Sequence, residues 1–257
     1  MRHALEAFDQ TGVDQQPIEP ARLGAGSFYK GVGIENFIDG KDIGGGAFEP
    51  DRFYFDIALR KIGREDARGP LFLYVYLTAN HFTWDYRFRP ELTPAGWRAP
   101  GNAMPELDEY LRRQAMSERD YAEFLARLER DFPAESFLIV RYGDHQPDFA
   151  NFIIDPDVDF NELGRRLINY DPRYYTTYYA IDAVNFTPAG LASALVTLDA
   201  PYLPLVVLEA AGLPLDPSFA EQKRILERCK GLFYRCAGGA EARRFNRLLI
   251  DAGLIKG

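Results

Sequence analysis

The sequence predicts an α/β domain built on a central, mostly parallel sheet flanked by helices. Two short runs, "PLFLYVYLTA" (70–79) and "SFLIVRYG" (136–143), are almost wholly aliphatic and aromatic, the pattern of strands buried on both faces. Between them, residues 106–131 have helical periodicity, so the order strand, loop, helix, strand looks like a crossover unit. Three more helical segments close the chain, "DAPYLPLVVLEAAGL", "EQKRILERCKGLFY" and "EARRFNRLLIDAGLI", two of them followed by glycine in a stop position.

Taken in order, residues 1–22 are polar and show no clear pattern beyond a short "ALEAF", so the domain is expected over 23–257. A glycine-rich loop, "GKDIGGGAFEPD", precedes a helix expected from Phe48 to Arg64, with Pro50 at its start, Phe53, Ile57 and Ile62 turned inward and Gly63 near its end. After the first apolar run, a loop containing proline and tryptophan extends from Asn80 to Pro105. In the long helix, Ser117 and Asp120 suggest a capping box that restarts it, with Tyr121, Phe124, Leu125 and Leu128 as the apolar face. Pro133 closes that helix, and "YYTTYYAIDAVNF" supplies a further strand. Neither an internal repeat nor a low-complexity linker is present, and one domain is the economical reading.

A chain of 257 residues is long enough to bury a substantial core. Its formal charge of −8 argues against a nucleic-acid binder, whose phosphate affinity comes from clustered Lys and Arg. No apolar run approaches the ~20 residues of a membrane span, and "MRHALEAFDQ" lacks the apolar core of a signal peptide. Cys229 and Cys236, seven residues apart, would stand roughly 10 Å apart along one continuous helix, too far for a disulfide, so buried thiols are expected.

The chemistry-bearing candidates lie where apolar strands break into loops. Asp144 and His145 follow the second run, and carboxylate oxygen with imidazole nitrogen suits a divalent cation such as Zn²⁺ or Mn²⁺. Gly143 would let the backbone turn sharply beside them. The competing reading is a polar turn capped by Asp144, with His145 on the surface. His81 occupies the equivalent place after the first run, in "TANHFTWDY", and would emerge at the same sheet edge if the two strands are parallel neighbours. Its competing reading is a histidine at the edge of the core bonded to a backbone carbonyl. His3 lies in the unpatterned segment and receives no role. "GGG" at 44–46 lacks the lysine of a phosphate loop, and no Gly-x-Ser-x-Gly elbow occurs. The pairs Arg112–Arg113, Arg165–Arg166 and Arg243–Arg244 read most simply as solvated helix faces. Arg87 and Arg89, after His81, either meet an anionic substrate or lie on the surface.

Taken together, "FYKGVGIENFID", "FLYVYLTANHFTWDY", "SERDYAEFLARLERDFP" and "FLIVRYGDHQPDF" resemble, in order and spacing, the second half of sulfatase-like proteins of the alkaline phosphatase superfamily, in the branch of lipoteichoic acid synthases and phosphoethanolamine transferases. The resemblance covers roughly residues 23–215 and includes a later helix in "APYLPLVVLEAAGLP". It implies the C-terminal portion of an alkaline-phosphatase-like sandwich, with Asp144 and His145 as two ligands of a divalent metal, Mn or Zn, and His81 binding the head group of a phosphate or sulfate ester. Thr83 departs from the family's pattern, where proline is expected.

The family's nucleophilic threonine and earlier acidic ligands come from upstream of the first matched block, where this sequence has about 22 residues unlike the family. The metal site is therefore expected to be incomplete in this chain, and Thr78, Thr176 and Thr177 have no motif to support a nucleophilic role. A truncated or mis-started copy, a half-domain complemented by a separate N-terminal half, and a non-catalytic homologue serving as a binding module are the three accounts of that shortfall. The full-length family is membrane-anchored, with its catalytic domain in the periplasm or outside the cell.

Overall fold

A computed structural model of the protein describes residues 4–9, 36–46, 48–65, 69–101, 104–169 and 171–255. In chain order the elements are β1 (Ala4–Asp9), β2 (Asn36–Asp39), α1 (Gly40–Ile43), α2 (Asp51–Glu65), β3 (Leu71–Val75) and α3 (Pro105–Asp131). Then come β4 (Phe137–Tyr142), α4 (Ala150–Ile154), α5 (Phe160–Ile168), β5 (Tyr179–Val184), α6 (Leu203–Ala210), α7 (Pro217–Cys229) and α8 (Ala240–Asp251). The chain divides into two compact units, one formed by 1–132 with 145–176 and the other by 133–144 with 177–257. Among the described residues, no helix is long and apolar enough to cross a membrane.

The first unit holds a three-stranded parallel sheet in the order β2-β1-β3, with Ala7 opposite Phe37 on one side and Tyr74 on the other. Its middle strand comes from the "ALEAF" stretch of the segment expected to be patternless. Helix α2 begins directly after Pro50 and buries Tyr54, Phe55, Ile57, Ala58 and Leu59, while Phe53 and Ile62 are only half-buried. It packs on α3, where Phe55 stacks on Phe124 with ring centroids 4.6 Å apart and Tyr121 completes the contact. The guanidinium of Arg52 bonds the Asp120 carboxylate at 2.7 Å and ties the two helices together.

Helix α3 runs 27 residues without interruption. The restart expected at Ser117 does not occur, because Ser117 and Asp120 turn toward tertiary partners instead: Ser117 Oγ accepts from Asn80 Nδ2 at 2.8 Å, and Asp120 accepts from Arg52. Tyr121, Phe124 and Leu128 are buried as expected, with Leu125 half-buried.

The second unit pairs β4 with β5 antiparallel, Phe137 opposite Val184 and Tyr142 opposite Tyr179. The expected crossover that would set β3 and β4 in one parallel sheet is not what forms: among the described residues β3 pairs with β1, and β4 with β5. A mixed α/β fold is present, as two small sheets. The core of this unit gathers Tyr202, Leu205, Ile225, Leu226, Phe233 and Phe245.

Cys229 and Cys236 form a disulfide with Cα atoms 5.6 Å apart, against the expectation of separate thiols. Helix α7 ends at Cys229, and the left-handed conformations of Lys230 (φ 52°) and Gly231 (φ 85°) turn the chain back, so the spacing of a straight helix does not apply. Gly231 is also required by space, since a Cβ there would lie 2.5 Å from the Thr197 carbonyl oxygen.

Candidate functional site

His81 stands past the carboxyl end of β3, on a turn whose first residues are fixed by α2 and α3. Thr78 is buried, its hydroxyl 2.6 Å from Tyr54 Oη on α2, and its carbonyl accepts from the His81 amide at 3.0 Å. Burial pushes the Tyr54 hydroxyl up to about 12. Asp51, in the first turn of α2, is 3 % exposed. Burial pushes its carboxyl up to about 6, with a hydrogen bond to Ser117 opposing that rise. The His81 ring, half-buried, stacks on Phe48 at 5.3 Å and lies 4.2 Å from the Phe82 ring, with Nδ1 3.0 Å from the Phe82 carbonyl oxygen.

The loop beyond His81 rests on three charged groups of α3, Glu109 and the pair Arg112–Arg113 that the sequence places on a solvated face. Glu109, Arg112 and Arg113 have side chains no more than 4 % exposed. Arg113 donates to the carbonyls of His81 (2.9 Å), Thr83 (2.9 Å) and Tyr86 (3.3 Å), and its Nε donates to Glu109 Oε1 at 2.8 Å. Arg112 donates to Glu109, to the Phe88 carbonyl and to Thr93 Oγ1, and Glu109 accepts from the Phe88 amide at 3.0 Å. Burial works against ionisation of Glu109, but hydrogen bonds from Arg112, Arg113, the Phe88 amide and Arg87 outweigh it and hold the carboxyl at about 2. The helical repeat carries the signal: 109, 112, 113, 116, 120, 124 and 128 form one stripe, and its apolar members are core. Arg87 pairs with Asp108 and Glu109, and Arg89 with Glu49.

Asp144 and His145 follow β4 directly, both are exposed, and the boundary between the two units falls between them. Gly143 is needed for space rather than for a positive φ: a Cβ there would collide with Thr177 Oγ1, while its amide donates to the Tyr178 carbonyl at 3.1 Å. His145 Nδ1 lies 2.9 Å from the Gln146 carbonyl oxygen, and the Gln146 side chain donates to the carbonyls of Arg173 and Thr176, holding the backbone beyond His145.

Within the first unit the loops that carry His81 and His145 meet through aromatic rings. Trp84, three residues after His81, packs edge-on against Phe149, four residues after His145, with centroids 5.2 Å apart. Tyr110 of α3 contacts both, at 5.8 Å and 5.6 Å. Among the described residues, no group of three or more His, Cys, Asp or Glu side chains is arranged to hold a metal ion. Of the other two arginine pairs, Arg243 and Arg244 on α8 and Arg165 on α5 are exposed as expected, whereas Arg166 is half-buried and paired with both Glu162 and Asp155.

No protein-family model matches the chain, and no curated protein matches it. Solved structures do. The Streptococcus pyogenes phosphoglycerol transferase GacH, determined in complex with sn-glycerol-1-phosphate, superposes with a TM-score of 0.61 at 16 % identity over 96 % of this chain and 59 % of its own. The lipoteichoic acid synthase LtaP from Listeria monocytogenes superposes with a TM-score of 0.50 at 15 % identity, over 70 % of this chain and 43 % of its own. Both are sulfatase-like proteins of the alkaline phosphatase superfamily, and at such identities the shared property is the fold. The chain spans about three-fifths of the phosphoglycerol transferase it matches.

Proposed function

We propose that this chain, with the fold of sulfatase-like phosphotransferases, contributes the head-group and part of the metal-binding side of a site that acts on a phosphate ester, a glycerol phosphate being the first candidate. The observation that carries the reading is the Trp84–Tyr110–Phe149 contact, which ties the His81 and His145 loops together on one helix. The phosphoglycerol transferase fold, matched over nearly the whole of this chain, supports the choice of ester.

In this reading His81 hydrogen-bonds the phosphate, and Phe48, stacked beside it, limits how far the ring can swing. Asp144 and His145 present one carboxylate and one imidazole in exposed positions, donors that fit Mn²⁺ or Zn²⁺. They form at most part of a coordination set, so the remaining ligands come from outside the described residues. When bound, such a cation would supply charge neutralisation at the phosphoryl oxygens. The attacking hydroxyl is assigned to a complementing segment. Thr78 is buried against Tyr54 and Thr176 donates to the Pro172 carbonyl, which leaves both poorly placed to attack.

The chain has three histidines, so their ring resonances resolve the test. Substoichiometric Mn²⁺ should broaden His145 selectively, and Asp144→Ala should remove that selectivity. Equal broadening at His3 and His145 would remove the metal assignment. In a protein that carries the complementing half, Asp144→Ala should abolish turnover, and retained turnover would contradict the role of the pair.

A further inference from the structure

We propose that Glu109, Arg112 and Arg113 are positioning residues that fix the His81 loop to receive an anionic head group, an inference that rests on the phosphate-ester reading above. Buried ions are an expensive way to stabilise a loop, and apolar side chains of the same volume often do as well. What apolar side chains cannot do is dictate where carbonyl groups point. Here Arg113 gathers the carbonyls of His81, Thr83 and Tyr86 around one planar fork, while Arg112 takes that of Phe88. The peptide planes that follow His81, Thr83, Tyr86 and Phe88 are therefore set by α3, which also carries Tyr110, the ring shared by the two loops.

The charge of the network supports the same role. One buried carboxylate stands against two buried guanidinium groups, which leaves one positive charge in excess directly beneath the loop. In a low-dielectric interior that excess acts on the loop with little screening and favours an anion above it. Arg87, which also donates to Glu109, is itself paired with Asp108 at 3.3 Å and leaves that excess unchanged. A network built only to balance charge would need one guanidinium for one carboxylate, and it would not need to reach four backbone carbonyls.

The test uses the whole chain with histidine rings observed by NMR and sn-glycerol 1-phosphate as the probe. The His81 resonance of the unaltered protein should shift saturably. Arg113→Lys keeps the charge that offsets Glu109 but loses the fork, and it should weaken the apparent affinity about tenfold or more, the loss expected when charge-assisted bonds to the loop are broken. Leu205→Ala, a core truncation in the other unit, should lower the melting temperature at least as much and leave the affinity unchanged. If Arg113→Lys does not fold, Arg112→Lys, which disturbs the Phe88 and Thr93 end of the loop, is read in the same way. Unchanged affinity in the folded lysine variant would overturn the positioning role and leave the phosphate-ester reading standing, as would an equal loss in Leu205→Ala. No response of His81 in the unaltered protein would overturn both.

Discussion

Replacing Cys229 and Cys236 together with alanine should destabilise the second unit by about 2–3 kcal/mol. The cross-link joins residues seven positions apart, so it closes a ring of about eight residues. Loop-closure entropy for a ring of that size is about 8 cal/mol/K, or about 2.5 kcal/mol at 25 °C. Cys229 is also a member of the core cluster around Tyr202 and Phe233, so losing its sulfur adds a smaller packing cost. Alanine is preferred to serine, which would bury an unpaired hydroxyl at position 229. Both tryptophans, Trp84 and Trp97, lie in the first unit, so their fluorescence does not report on the second, and urea unfolding should be followed by far-UV circular dichroism. The double variant should unfold at lower urea, and a reducing agent should bring the unaltered protein to nearly the same midpoint. Two titratable thiols in the oxidised, denatured protein, or a change below about 0.5 kcal/mol, the ordinary range of surface substitutions, would refute the cross-link or its entropic role. Such a bond persists only in an oxidising compartment, so material made in a reducing cytosol should behave like the variant.

Two further outcomes follow from the structure. The Asp51 carboxyl, raised by burial from 3.8 to about 6, binds a proton more tightly in the folded chain than in the unfolded one. The stability it contributes is therefore full below pH 3.8 and is lost as pH rises through about 6, a change of about 3 kcal/mol at 1.36 kcal/mol per pH unit. Asp51→Asn should flatten that part of the pH–stability curve and raise stability at neutral pH, and denaturant midpoints at several pH values that run parallel in both proteins would contradict it. Gly231→Ala places a Cβ 2.5 Å from the Thr197 carbonyl oxygen on a residue with φ of 85°, and it should cost about 1–3 kcal/mol in thermal unfolding, whereas unchanged stability would mean the turn has an easy alternative.

Much of the element content is legible in the sequence because it depends on neighbours along the chain. The apolar runs around Leu73 and Ile139 form strands, and the repeat through Tyr121, Phe124 and Leu128 forms a buried helix face. Pairing is different, since nothing in "FLIVRY" says whether its partner is β3 or β5, and tertiary context chose the antiparallel neighbour. The disulfide is not legible in a helical reading of "ERCKGLFYRC", because it depends on Lys230 and Gly231 both taking left-handed turn conformations that break the helix. The charges of Arg112 and Arg113 point to solvent while their position on the core stripe points inward, and in the fold periodicity prevails because Glu109 and backbone carbonyls satisfy both guanidinium groups. His81, Asp144 and His145 stood out because each sits where an apolar run stops, a signal of location only.

Helix α3 also acts as a ruler. From Glu109 to Asp120 it rises about 16 Å, and on the way it presents Arg113 to the His81 loop and Ser117 to Asn80 before reaching Arg52. Inserting or deleting a single residue between Arg113 and Ser117 would turn one half of that stripe by about 100° relative to the other. Either α2 would lose its anchor or the His81 loop would lose its support. Relatives can therefore vary in length at the loops on either side of this helix, whereas between Glu109 and Asp120 a change of length is tolerable only where the whole spacing is rebuilt.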